Sequence, residues 1–327
     1  MLLAVNITCQ EYLSSAGSWL LSDSELAHNI QHFFKMSGGV AGLDLSPLGR
    51  QSAFIAQVEL RETPARVQEA ADALRRLLKA RKDLYFRDDN DFLLRFLRPT
   101  KFYPESALEL MVNVAKLKRK HGKVLCDLEP KEELHHLREH KALSVILERD
   151  KSGRKIFIMK VEESWDPAMV SAEQVFRVLY MAHVAGAMEP ETQVKGIVHV
   201  LDLKGVQARQ LWALTGLHTR GLLHFLQKAF PLRLKEIHII NHPPSFNTLL
   251  PLCKPFVSAK LYKRIFLHGD DLASLHRLVD PSRLPEDYGG GLAGVEHTGG
   301  HWHAVLLEVE EAIREWCTFG FVEDRRR

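Results

Sequence analysis

Gly196-Ile197-Val198-His199-Val200-Leu201-Asp202-Leu203 is the stretch on which the fold turns. It is almost continuously apolar and too short for a helix of ordinary length, which reads as a strand inside a sheet. On its N-terminal side, Leu143 to Glu148 and Lys155 to Val161 are β-like runs joined by Asp150-Lys151-Ser152-Gly153, a good hairpin turn. On its C-terminal side, Glu236 to Ile240 and Arg264 to Leu267 read as two further strands. Helical segments lie between them. One opens at Ser171-Ala172-Glu173-Gln174, a capping box, and carries Phe176, Leu179, Tyr180 and His183. Strands alternating with helices predict an α/β domain with a mostly parallel sheet covered by helices.

Upstream the pattern is helical. Thr63-Pro64 offers an N-cap followed by proline at the first helical position, and Val67, Ala71, Leu74 and Leu78 follow with helical spacing. A second helix covers Asp91 to Leu97. A third starts at Pro104 with Ala107, Leu108 and Met111 inward, so a three-helix module ends near Pro130. Residues 1 to about 58 show no sustained periodicity, and Ser37-Gly38-Gly39 reads as a flexible break. The chain therefore divides into an extension (1–58), a helical module (59–130), an α/β domain (131–292) and a C-terminal tail (293–327).

With 327 residues, 46% apolar and 26% charged, the composition is that of a globular protein of about two domains. The net charge of +3 is too small to imply nucleic-acid binding, so any anion site must come from local clustering. Cys9, Cys126, Cys253 and Cys317 make no C-x-x-C pair and suggest neither a zinc site nor a disulfide framework. No basic region precedes a sustained apolar stretch at the N-terminus, and no apolar run approaches the roughly 20 residues that cross a bilayer. A cytoplasmic protein is expected.

Seven segments, in order and with kept spacing over about residues 60 to 292, resemble the CRAL-TRIO lipid-binding family. The similarity is to the branch of α-tocopherol transfer protein, cellular retinaldehyde-binding protein and the clavesins. They are Asp91-Phe92-Leu93-Leu94-Arg95-Phe96-Leu97-Arg98, Trp165-Asp166-Pro167, Phe230-Pro231-Leu232, Ile237-His238-Ile239-Ile240-Asn241, Lys254-Pro255-Phe256, Lys263-Arg264-Ile265-Phe266-Leu267-His268-Gly269 and Leu284-Pro285-Glu286-Asp287-Tyr288-Gly289-Gly290. The resemblance implies a helical module followed by an α/β domain that encloses one elongated apolar cavity. It also implies a mobile gate, here about Asn241 to Arg264. The family's ligands are tocopherols, retinoids or phospholipids, and several members recognise phosphoinositides on membranes.

Matched to that pattern, Phe176, Leu179 and His183 stand on one pocket wall. Ile197 and Leu201 come from a strand, and Leu222, Phe225, Leu226 and Ile237 from the next helix and strand. Two positions that are serine in the tocopherol carrier are Leu179 and His183 here, which puts tocopherol itself in doubt. His183 is either a polar anchor for a ligand or a satisfied core histidine. Arg233, Lys235, Lys260 and Arg264 match the phosphoinositide-binding cleft of the tocopherol carrier, and their chemistry suits multiply charged phosphates. The plain alternative is a solvated charged surface. One further basic position of the family motif is Thr100 here, next to Lys101.

The gate can be read from its own residues. Phe246, Leu249, Leu250, Cys253 and Phe256 or Val257 fall on one helical stripe, the spacing of a core-facing helix. Pro251 and Pro255 interrupt it, which suits an element that must lift.

Other signals carry less. Gly289 to Gly294 fits G-x-G-x-x-G but follows no strand, so no dinucleotide cofactor is expected. His301-Trp302-His303 reads as surface residues, not a metal site, and Arg325-Arg326-Arg327 as a solvated tail. No G-x-S-x-G elbow or nucleophile with a base stands out, so no enzyme is expected. The expected function is binding of a hydrophobic lipid and its transfer between membranes that carry phosphoinositides. The alternative is a clavesin-like phosphoinositide adaptor in endosomal or Golgi traffic.

Overall fold

The computed structural model describes residues 43–139, 143–161, 163–215, 221, 223–244, 246, 251, 254–292 and 300–323. Three helices of the upstream region stand where the caps place them. Helix α2, Pro64–Ala80, starts on Thr63, whose Oγ1 accepts from the Arg66 amide at 3.2 Å. It buries Ala71, Leu74 and Leu78. Asp89 caps α3, Asn90–Leu97, by accepting from the Phe92 amide at 3.1 Å, and α4, Pro104–Lys120, opens on its proline. Ahead of them lies α1, Arg50–Ile55, which continues into a π turn, Ala56–Leu60. Its inner face is Ser52, Ala56 and Leu60, four apart, while Phe54 and Val58 on another face are exposed. The extension expected over 1–58 thus includes ordered chain from 43 onward; residues 1–42 lie outside the described residues.

The sheet has the order β2-β3-β4-β5-β6. Strand β2 (Leu143–Arg149) pairs antiparallel with β3 (Lys155–Val161), and β3, β4 (Ile197–Asp202), β5 (Leu234–Ile240) and β6 (Ile265–Gly269) are parallel. In the hairpin turn Asp150 accepts from the Ser152 amide at 2.9 Å. The capping box also holds. Gln174 N donates to Ser171 Oγ at 3.3 Å and Ser171 N to Gln174 Oε1 at 2.8 Å, opening α7, Ala172–Gly186. Gly196 links α8 (Pro190–Lys195) to β4 with φ of 85°, and a Cβ there would lie 2.3 Å from the Arg233 carbonyl. Only glycine satisfies both the left-handed angle and that approach.

Strand alternation divides the core in two. Ile156, Ile158, Val198, Val200 and Ile240 point to an outer face that packs on Leu275, Val279, Leu284 and Tyr288. Phe157, Met159, Val161, Ile197 and Ile239 point to the inner face, toward α7 and the helical module. Period-two side-chain direction makes this split unavoidable once the register is set.

Residues 300–323 correct the expected tail. They form α12 (Gly300–Glu308), α13 (Glu310–Thr318) and β7 (Gly320–Phe321), and β7 pairs antiparallel with β1 (Leu84–Tyr85). Leu306, Val309, Ile313 and Trp316 are buried at helical spacing. Trp316 stacks on Phe96 with centroids 6.2 Å apart, Phe319 meets Phe92 edge-on at 4.9 Å, and the Trp316 indole donates to the Tyr180 hydroxyl at 2.9 Å. So large an apolar payload cannot stay in water.

Charged groups tie the segments together. Arg98, at the end of α3, donates to Glu62 at 2.7 and 3.0 Å and to Gln193 of α8 at 2.6 Å. Buried Glu189 accepts from Lys155 at 2.7 Å and from Arg149 at 3.0 Å. The buried Lys118 ammonium donates to the carbonyls of Trp316, Cys317 and Phe319 at 2.6, 3.0 and 2.5 Å, closing the C-terminal end of α13. Lys118→Met should strip these carbonyls of their charged donor and lower the unfolding free energy by about 3 kcal/mol. Urea denaturation checks it; an unchanged midpoint would show that the C-terminal segment is not held this way.

Candidate functional site

The inner face of the sheet is sealed in part, and Phe157 and Ile197 have no accessible surface there. On the outer face Val198, Val200 and Ile240 have no accessible surface. On the inner face Leu201, Ile237, Ile265 and Leu267 pack against the core yet stay only partly buried. Leu179 and Leu226, which project from α7 and the π turn Phe225–Ala229, are likewise half-buried. These apolar side chains keep accessible surface that full packing would have removed. Of the nine expected pocket residues, Leu179, Leu201, Leu226 and Ile237 have this character. Phe176, His183, Ile197 and Phe225 are buried, and Leu222 lies outside the described residues.

The buried members form a stacked knot. The His183 ring lies parallel to Phe157 at 5.0 Å and to His199 at 5.0 Å, and meets Phe225 and Phe230 edge-on at 5.6 and 5.1 Å. His183 Nδ1 is 2.5 Å from the Leu179 carbonyl, which can only accept, so Nδ1 carries the proton. Its Nε2, 3.2 Å from His199 Nε2, then accepts the His199 proton. Both nitrogens of His183 are thereby engaged by protein, the arrangement of a satisfied core histidine.

Along the expected gate, Phe246 is half-buried with its ring 5.6 Å from His242. Leu249, Leu250 and Cys253 lie outside the described residues. Lys254–Phe256 is a 3₁₀ turn, and the tighter winding exposes Phe256 and buries Val257. Of the two, Val257 is the one that packs inward. A latch that sequence reasoning missed is Gln227 of the π turn, which donates to the Phe256 carbonyl at 3.2 Å and accepts from the Ser258 amide at 2.6 Å. Nothing in the local sequence of Gln227 points to this role, because its partners are about thirty residues away.

The four basic residues converge. Arg233 and Lys235 stand at the entrance of β5, Arg264 at the entrance of β6, and Lys260 on α10, Ala259–Tyr262, whose N-cap is Ser258. Arg233 donates to the Val194 carbonyl and Arg264 to the Leu234 carbonyl, which aims both guanidinium groups along the strand entrances. Partial burial, then the charges of Arg264, Lys101 and Arg233, draw the Lys260 ammonium below its ordinary value. Burial and then Arg233 do the same to Lys235. Lys101 joins from a turn in which it and Phe102 both adopt left-handed angles, φ 56° and 58°. That strained pair persists because Phe102 is fully buried and its amide donates to Leu97 O at 2.8 Å.

One acid faces this cluster, and sequence reasoning missed it. Glu59 of the π turn after α1 accepts from Arg233 Nη2 at 2.6 Å and lies 3.8 Å from Lys235 Nζ. The hydrogen bond from Arg233 leads the causes that hold its carboxyl below the usual range. Among the described residues, no group of three or more His, Cys, Asp or Glu converges as a metal site would. None of their helices is long and apolar enough to cross a membrane.

Burial holds the His183 imidazole down at about 4, and His199 well below its ordinary value. The unfolded chain, with histidines near 6.5, binds more protons than the native one at intermediate pH. The stabilisation is therefore complete above about pH 6.5 and lost as pH falls towards 4, by about 3 kcal/mol from His183 alone. Urea midpoints at pH 7.5 and 5 should show this fall, and His183→Leu with His199→Leu should flatten it. An equal slope in wild type and double variant would count against the neutral pair.

The sequence profile of the CRAL/TRIO domain matches residues 139–290. The human α-tocopherol transfer protein-like protein is 34% identical over 264 residues, covering 80% of this chain and 76% of the relative. Human clavesin-2 is 30% identical over 257 residues, 78% of each chain, and rat clavesin-1 is 30% identical over 254 residues, 77% of this chain and 71% of its own. The crystal structure of Sfh5 aligns with 81% of this chain and all of its own at 14% identity and a TM-score of 0.40, too loose a likeness to bear on the fold. Matches that run along most of both chains, over a helical module and a mixed, mostly parallel sheet, make this chain a member of the CRAL-TRIO family of lipid-binding proteins.

Proposed function

We propose that this protein holds a hydrophobic lipid between the inner face of its sheet and the gate segment, about Asn241 to Arg264, and carries it between membranes. The observation that carries this reading is the group of half-buried apolar side chains toward the β5 and β6 side of the inner face. Leu201, Ile237, Ile265 and Leu267 retain accessible surface. A lipid with about 20 apolar carbons faces on the order of 15 kcal/mol on entering water, at about 0.8 kcal/mol per methylene. An apolar lining removes that barrier only if release occurs at a membrane. The basic cluster supplies the address: Arg233, Lys235, Lys260 and Arg264, with Lys101, suit a phosphoinositide headgroup. Relatives named for α-tocopherol transfer support cargo transfer. Leu179 and the self-satisfied His183 argue for a ligand other than tocopherol, a retinoid- or phospholipid-like molecule.

A second reading makes the headgroup a signal rather than an address, as in an adaptor of endosomal or Golgi membranes. The solvent-facing cluster and the similarity to clavesins favour it.

Native mass spectrometry of the purified protein should reveal a co-bound lipid, and a donor-to-acceptor vesicle assay should show its movement. Phosphoinositide binding without transfer would select the adaptor reading, and absence of both would remove the proposal. Lys235→Ala with Lys260→Ala leaves the backbone anchors of Arg233 and Arg264 in place. It should weaken binding to phosphoinositide vesicles roughly tenfold or more, at about 1 kcal/mol for each lysine near an anionic surface. Equal binding by the double variant would detach the cluster from membrane recognition.

A further inference from the structure

We propose that Glu59 is a built-in competitor at the basic cluster, a tethered carboxylate that only a multiply charged phosphate headgroup displaces. The inference rests on the headgroup reading of the cluster and adds what sets its selectivity. One oxygen, Glu59 Oε2, serves both Arg233 at 2.6 Å and Lys235 at 3.8 Å. The carboxylate reaches them from 174 residues away in sequence. Among the described residues it is the acid within ion-pair distance of any of the four cations.

Its backbone and its side chain are held very differently. The turn that carries it is fixed, because Ala56 and Leu60 are buried on either side. Ser52 donates to Glu191 at 2.7 Å, and Glu62 accepts from the buried Arg98. The Glu59 side chain, by contrast, is 46% exposed. It can therefore leave the cluster by rotating about its own bonds while the helix stays docked.

Tethering raises the local concentration of the carboxylate far above that of a dilute ligand. A headgroup with a single charge gains nothing that Glu59 does not already supply. A multiply phosphorylated inositol also engages Lys260 and Arg264, which Glu59 does not reach, and so outbids the tether. The left-handed closure at Arg61, φ 70°, ends the turn one residue after Leu60 and keeps Glu59 aimed at β5.

The test compares full-length wild type with Glu59→Gln on phosphatidylcholine vesicles containing phosphatidylinositol bisphosphate or phosphatidylserine, and on soluble inositol trisphosphate. Glu59→Gln should bind the bisphosphate vesicles and the soluble headgroup about fivefold more tightly, the scale of a partly exposed ion pair. The gain on phosphatidylserine should be larger, so that selectivity narrows. In an Arg233→Gln background the substitution should bring no gain. Wild-type binding with no gain in Glu59→Gln overturns the competitor while leaving the headgroup reading intact. Absence of binding by both proteins removes the headgroup reading itself. A gain on the soluble headgroup without one on vesicles overturns the lipid as the source of the phosphate.

Discussion

The junction of this protein depends on a guanidinium taken almost wholly out of water. Arg98 is buried and meets the carboxylate of Glu62 through two of its nitrogens and Gln193 through the third. These partners belong to the segment before the helical module and to the helix that feeds β4. A charge in that position is tolerable only while every donor is matched, so the three segments must arrive in one register or none. Gly196, three residues after Gln193, converts this register into the approach of β4 to the Arg233 carbonyl. The position of Arg233, and with it the basic cluster, follows from the pairing of Arg98.

The same two strands then serve two chemistries. In β5, Lys235 sits at the entrance and Ile237 two residues on; in β6, Arg264 is followed at once by Ile265. Ile237, Ile265 and Leu267 belong to the inner face, so basic side chains and half-buried apolar ones lie within about two residues along each strand. A lipid whose polar end rests at the strand entrances would have its apolar remainder beside those half-buried side chains. The outer face packs on Leu275, Val279, Leu284 and Tyr288, which gives the sheet a firm back.

How much of this the sequence discloses depends on the range of the interactions. The caps at Thr63 and Ser171, the Asp150 turn and the strand alternation are local, and all stand where the sequence puts them. The helix of 50–55 escapes a periodicity reading because its inner face begins with Ser52 and Ala56, small residues that contrast poorly with their neighbours. Residues 306 to 316 do carry an apolar stripe, but its partners Phe92 and Phe96 are more than two hundred positions earlier, and a tail is the reading that proximity alone suggests. Individual basic residues are visible in the chain; their convergence is not, and Glu59 least of all. Phe256 and Val257 fit one helical stripe equally well until the 3₁₀ turn separates them.

The pairing of β7 with β1 bears on how the protein is made. Phe92 and Phe96 are made more than two hundred residues before the rings that cover them, Trp316 and Phe319. During synthesis at about 5–20 residues per second, the early helices must wait many seconds with an aromatic surface uncovered. Residues 300–323 are thus the closing stitch of that helical module, and a nascent chain stalled before residue 316 would expose greasy rings to chaperones instead of a finished fold.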